Sequence, residues 1–428
     1  MPYEILDIES AADHKLRGVH IDSPSQIGNE SGNLIEIAGW VVAAHEAIAR
    51  IDVNIESGNT SSCIQSCPLD IERPDVVNHF QDPGIDAKCG FSASLLTIGL
   101  PETVRLSLYA ITESDRQIAI AFISLRRRSA STWFQPKLQP IVVTTLGRTG
   151  STWLMQLLAK HPDIVVADQH PYETFALEYW LHLVSQQLSA PWHSLSEVDR
   201  KRFNRDFIDN RRRQAWFDGT YYDQVLRFCQ EAVENFYLGI AEDQGDGPVR
   251  FFAEKIPYYS GDGSTTWRQL GPAVRELYAE AREIVLVRDF RDMVLSALHF
   301  GAHGKSDEQV EREKSKAYHN VNKEVAEFSA YYKLHRSNTY LVRYEDLLVN
   351  TGQTLKTLFD NLSIPNDDDI MKKILEKKSV VAESHQSHIT SKSIENSLAR
   401  WKRELTPQLQ YEYTDWFKED LNLFGYEI

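Results

Sequence analysis

The chain reads as an α/β protein, a P-loop-type parallel sheet flanked by helices and preceded by a small all-β sandwich domain. Three observations lead there. Within residues 1–130, LIEIAGWVVA, ARIDVNIES, CGFSASLLTI, TVRLSLYAI and QIAIAFISL have period-two character, and turn-rich ESGNTSS and QDPGIDAKCG punctuate them, the pattern of short antiparallel strands. After residue 131 apolar β-branched runs alternate with helical patterns, which implies parallel strands with helices on both faces. Between the two lies RRRSASTWFQPKLQP (Arg126 to Pro140), basic and proline-containing, a linker by composition. The expected division is 1–130 for the accessory sandwich and 131–428 for the second domain, consistent with a length above that of one comfortable domain.

Composition excludes several classes. Hydrophobic content of 42% and charged content of 25% are ordinary globular values. A net charge of −15 argues against a nucleic-acid partner, while leaving local basic residues free to set the field of a cleft. No run approaches the ~20 apolar residues of a membrane-spanning helix. MPYEILDIES is acidic without a hydrophobic region, so no signal peptide is expected and the cytoplasm is the default. Cys63, Cys67, Cys89 and Cys229 are too few for a disulfide framework and lack the companions of a zinc site, so no metal is expected and the thiols read as reduced and structural.

The most informative stretch is IVVTTLGRTGSTWLMQLL, residues 141–158. A β-branched run leads through a glycine-punctuated loop onto an amphipathic helix, with Ser151 and Thr152 as capping candidates. Loop amides, the positive end of the helix dipole, two hydroxyls and the charge of Arg148 converge, so this is an anion cradle. It is not the triphosphate loop G-x-x-x-x-G-K-[ST], because the basic residue precedes the second glycine. A second stretch, EIVLVRDFRDMVLSAL (residues 283–298), places Arg288 at a strand end and Ser296 eight positions on, a forked guanidinium plus a hydroxyl suited to a dianionic phosphate. Its plainer reading is an Arg288–Asp289–Arg291–Asp292 ion-pair cluster at a helix start.

Together, R-T-G-S-T-W and the Arg288/Ser296 spacing resemble the sulfotransferases that use 3′-phosphoadenosine 5′-phosphosulfate (PAPS), over about residues 138–428. The arginine of the loop is similar to Golgi-type and tyrosylprotein members, while the expectation of no N-terminal membrane anchor is similar to soluble bacterial ones. The resemblance implies the sulfotransferase fold and a metal-free transfer of a sulfuryl group from PAPS to a hydroxyl acceptor, a carbohydrate or glycolipid. It implies a 5′-phosphosulfate loop of Arg148, Thr149, Gly150, Ser151 and Thr152, with Trp153 against the adenine, and a 3′-phosphate site of Arg288 and Ser296. FFAEKIP (Phe251 to Pro257) resembles the third-strand segment, its Lys255 serving the bridging oxygen or donor orientation. TYLVRYEDL supplies Tyr344 as an adenine contact. SKSIENSLARWKREL resembles the closing segment, with Ser393, Ser397 and Arg400 as candidates, although the R-K-G-x-x-G form is absent.

Sulfuryl transfer is an in-line displacement that needs a base for the acceptor proton and cations for the leaving phosphate. Arg148 is the leaving-phosphate cation. The base lies in HPDIVVADQHPYETFALEYW (His161 to Trp180): Glu173 matches the E-T wording of tyrosylprotein and bacterial relatives, His170 matches the E-P position of carbohydrate enzymes, with a pKa near ~6.5, and Asp168 stands behind them. Residues 172–250 are expected to form a helical, aromatic-rich insertion that shapes the acceptor site. There Arg211, Arg212 and Arg213 read as a solvated face, and Trp216, Tyr221 and Tyr222 are sugar-stacking candidates. Two other readings stay open, a P-loop kinase and an inactive nucleotide- or glycan-binding protein of the same fold. Acceptor identity and oligomeric state are not encoded in these motifs.

Overall fold

A computed structural model describes residues 3–11, 14–25, 27–30, 34–57, 60–82, 84–127, 134–167, 172–180, 222–245, 247–258, 266–278, 280–301, 307–376 and 397–428. The chain divides into two compact units. One comprises residues 1–135, 178–231 and 263–277; the other comprises 136–177, 232–262 and 278–428.

The first unit holds two antiparallel sheets. Strands β1 (Tyr3–Ser10), β3 (Gly28–Glu30), β5 (Ile48–Ser57), β6 (Thr60–Pro68), β8 (Thr103–Thr112) and β9 (Gln117–Arg127) form a six-stranded sheet in the order β3-β1-β9-β8-β5-β6. Strands β2 (Leu16–Ser23), β4 (Leu34–Ala43) and β7 (Gly90–Leu96) form a three-stranded one. Alternate side chains from both sheets, including Ile37, Phe91 and Leu95 against Val53, Leu106 and Ile123, share one buried core, which makes the unit a sandwich.

Two sequence readings change here, and MPYEILDIES, which received no element from its sequence, supplies β1, whose charged residues take the outward positions of an alternating strand. The second half of ESGNTSS opens β6, a polar strand at the sheet edge, where Ser and Thr need no covering layer. Arg126 and Arg127 continue β9 rather than the linker. Arg127 is buried, with Nη1 2.8 Å from Glu276 Oε1 on the helix Thr266–Leu277 and Nε 2.7 Å from the Leu100 carbonyl.

The second unit is built on a five-stranded parallel sheet, order β11-β12-β10-β13-β14. Its strands are β10 (Gln139–Leu146), β11 (Ile164–Val165), β12 (Phe251–Tyr258), β13 (Arg282–Val287) and β14 (Tyr340–Arg343). Both faces are buried, so the strands are near-continuous apolar runs. Ile141, Val143, Phe251, Ala253, Ile284 and Leu286 pack on the helix Ser151–Leu158 and on the helix Thr351–Leu362. On the other face Phe252 stacks on Tyr237 of the helix Tyr222–Gln244, ring centroids 4.4 Å apart. The chain leaves β10 for the edge strand β11, returns to lay β12 beside β10, and then crosses to β13 and β14 on the other side, so β10 is the switch point, where the strand ends open a crevice. Among the described residues no helix is long and apolar enough to cross a membrane.

Candidate functional site

The C-terminal end of β10 carries the loop Gly147 to Gly150, and the helix Ser151–Leu158 follows. Arg148 (φ 66°) and Gly150 (φ 86°) both turn left-handed, which folds the loop back over the strand end. Thr149 is fully buried and its Oγ1 bonds the Leu146 carbonyl at 3.0 Å and the Thr145 hydroxyl. Its side chain therefore fixes the turn rather than facing an anion. Gly150 occupies the N-cap position with no side-chain cap, which corrects the capping expectation for Ser151 and Thr152. The left-handed turn starts the helix one residue earlier and places both in its first turn, with amides outside the helical ladder.

Residues remote in sequence close around this loop. Arg148 Nε donates to Ser296 Oγ at 3.3 Å, from the helix Phe290–Gly301. Arg288, at the end of β13 and buried, donates through Nη1 to the Arg148 carbonyl (3.3 Å) and through Nη2 to the Ser397 carbonyl (3.1 Å). The Tyr344 ring lies 4.9 Å from the Arg288 guanidinium carbon and edge-on to Trp153, and its hydroxyl is 3.2 Å from Ser397 Oγ. Arg148, Gly150, Trp153, Arg288, Ser296, Tyr344 and Ser397 thus form one cluster. The buried Nε of Arg288 has no hydrogen-bond partner among the described residues, and a buried donor left unpaired costs about 1–3 kcal/mol unless a ligand takes it.

The acidic–basic cluster after β13 splits in two. Arg291 is the structural arginine: it grips Asp289 with two hydrogen bonds (2.9 and 2.8 Å), reaches the Glu427 carbonyl and stacks on Trp401 at 3.8 Å. Arg288 makes no ion pair among the described residues. Buried Asp292, its carboxyl held above the usual range by burial, accepts the Trp401 amide at 2.8 Å. Arg400 lies buried beside it, and its guanidinium holds Glu404 at 2.9 Å.

On the other side of β10, Lys255 on β12 reaches Glu173, Nζ to Oε1 2.8 Å. Lys255 is 2% exposed, and burial holds its ammonium below the usual lysine range against the opposing pull of Glu173. Asp168, His170, Ser393, Arg211, Arg212, Arg213, Trp216 and Tyr221 lie outside the described residues, as does the side chain of Tyr222. Sequence reasoning missed Glu254, buried on β12 next to Lys255; a carboxylate inside the apolar run FFAEKIP was the available signal, since such groups are almost never buried unpaired.

The sulfotransferase family model matches residues 140–369, more than half of the chain. The sulfotransferase domain from the curacin biosynthetic pathway aligns at 19% identity, over 69% of this chain and all of that one, with a TM-score of 0.40. A mouse sulfotransferase, SULT7A1, solved with PAP, aligns at 14% identity over 67% of this chain and 85% of that one, TM-score 0.35. STF9 from Mycobacterium avium aligns at 14% identity over 69% and 79%, TM-score 0.35. No curated protein sequence matches. With that match spanning the β10 loop, Lys255, Arg288 and Tyr344, the chain belongs to the sulfotransferase family.

Proposed function

We propose that this sulfotransferase takes its sulfuryl group from PAPS and passes it to the hydroxyl of a carbohydrate or glycolipid. The observation that carries the donor is the pairing of Arg148 with Ser296 beside a buried Arg288 whose Nε is unpartnered among the described residues. Two guanidinium groups on one crevice fit a nucleotide bearing phosphates at both ends of its ribose. Arg148 with the Gly150–Thr152 backbone would receive the 5′ end, Arg288 and Ser296 the 3′-phosphate, and Trp153 and Tyr344 the base.

In the chemical step Glu173 accepts the proton of the acceptor hydroxyl as its oxygen attacks sulfur. The sulfur–oxygen bond to the 5′-phosphate breaks, and the leaving phosphate keeps the electron pair. Arg148 and Lys255 stabilise that charge as it develops. The 2.8 Å Glu173–Lys255 contact supports a base and a cation held side by side at one place. The buried thiols Cys67, Cys89 and Cys229 form no disulfide, which supports a reducing cytoplasm.

Calorimetry with 3′-phosphoadenosine 5′-phosphate (PAP), with ATP–Mg²⁺ alongside, tests this. Micromolar binding of PAP without metal is expected. Arg148→Ala and Arg288→Ala should each weaken it about ten- to a hundredfold, the size of one or two charge-assisted hydrogen bonds. Preference for ATP–Mg²⁺ would overturn the donor assignment in favour of a kinase; PAP binding with Glu173→Gln as active as the parent would overturn the base.

A further inference from the structure

Glu173 sits in a segment that folds against its own backbone preference. Tyr172 and Phe175 on either side have φ of 68° and 53°, a region that costs a side-chain-bearing residue about 1–2 kcal/mol. Such strain persists only where surrounding contacts over-determine it. Here the contacts come from a buried carboxylate that the chemistry above does not use. Glu254 is 1% exposed; its oxygens accept the Leu177 amide at 3.0 and 3.2 Å and the Tyr237 hydroxyl at 2.7 Å. Tyr237 spends its proton on Glu254, so Thr174 Oγ1, 3.0 Å away, donates to the tyrosine oxygen. Neighbours in a strand point to opposite faces. Lys255 therefore takes Glu173 from the side of β12 that faces the helix Ser151–Leu158, while Glu254 takes residues 174–177 from the Tyr237 side.

We propose that Glu254, acting with Tyr237, is a positioning residue that holds Glu173 against Lys255; the inference rests on Glu173 being the base. Glu254→Gln keeps the side-chain shape and turns one acceptor into a donor. Tyr237→Phe keeps the ring on Phe252 and removes only the hydroxyl, so it carries the test if the first variant folds poorly. Turnover is read as release of PAP from PAPS with methyl glucoside present, water being the acceptor where the sugar is not taken. Hydrogen exchange of residues 172–177 is followed in the protein without nucleotide.

Both variants should exchange this segment about tenfold faster or more, as a local opening. Both should lose about ten- to a hundredfold in kcat, the effect of a misplaced reacting group, with PAP affinity unchanged. Glu173→Gln combined with Tyr237→Phe should be no slower than Glu173→Gln alone, because Tyr237 acts through Glu173. Multiplying effects in that double variant, or unchanged exchange and kcat in the single ones, would overturn the role. If Glu173→Gln alone keeps full activity, the base assignment falls and the positioning role with it. An inactive Glu173→Gln beside fully active Glu254→Gln and Tyr237→Phe removes the positioning role alone.

Discussion

Two glycines three residues apart in the β10 loop should respond unequally to the same added methyl group. A Cβ on Gly150 would lie 2.3 Å from both Cδ2 and Cε2 of Tyr344, at a backbone φ of 86°. The left-handed backbone costs an alanine about 1–2 kcal/mol, and forcing the ring aside adds about 1–3 kcal/mol of overpacking. Tyr344 has little freedom to yield, since its hydroxyl meets Ser397 and its face meets Arg288. Gly150→Ala should therefore destabilise by about 2–5 kcal/mol, a fall of roughly 4–20 °C in Tm for a unit of this size. A Cβ on Gly147 meets nothing within 4 Å, so Gly147→Ala should stay within about 0.5 kcal/mol of the parent. Scanning calorimetry and urea midpoints at constant m-value separate the two. Gly150→Ala should also loosen PAP binding, because the displaced ring backs Arg288. Equal midpoints for both variants would refute the steric argument.

Lys255 is held below the ordinary lysine range by burial; if its charged form serves the leaving group, kcat falls as pH rises through that lowered value. Lys255→Met should abolish this alkaline limb and cost about a hundredfold in kcat, which a pH–rate profile reads. His161 is neutral when buried, accepting the Asp163 amide through Nδ1 (3.1 Å) and donating from Nε2 to the Pro365 carbonyl (2.6 Å). Burial lowers its pKa, so the unfolded chain binds the proton more readily; its contribution is complete above the unfolded pKa and is lost as pH falls below it. Urea midpoints should rise from pH 5 to pH 7, and rise less in His161→Gln. Arg127 and Glu276 form a buried pair, 4% and 7% exposed. Arg127→Met should cost about 3–5 kcal/mol by removing the counter-charge of a buried carboxylate, and Arg127→Met with Glu276→Leu should recover most of it, measured by denaturant midpoint.

What the sequence reveals follows the range of the interactions. The β10 loop is legible because strand, glycine turn and helix are contiguous, and Arg288 and Ser296 because one strand–helix step fixes their spacing. The β-sandwich strands that alternate cleanly are legible as well, whereas β1 and β6 are not, since a charged strand and a Ser/Thr-rich edge strand carry little apolar signal. Lys255 and Glu173 were each nameable, but their contact was not, because nothing local links residue 173 to residue 255. The Glu254–Tyr237–Thr174 network joins three separate stretches, and only the carboxylate inside FFAEKIP marks it in the sequence. Arg288 and Arg291 differ by one helix step in sequence; only the fold shows that Asp289 neutralises the second and leaves the first for the crevice.

The position of β10 at the centre of its sheet bears on how the protein is made. Its register is with Phe251–Tyr258 on one side and Arg282–Val287 on the other, strands synthesised only after the whole of residues 172–250. The antiparallel sheets have all their strands by residue 127, so they can close while synthesis continues. During that interval IVVTTL has neither neighbour and is an uncharged, β-branched segment open on two edges, the kind of segment that associates between chains. Slow elongation, low temperature or a holding chaperone during the 172–250 interval should govern soluble yield more than the final stability of the fold.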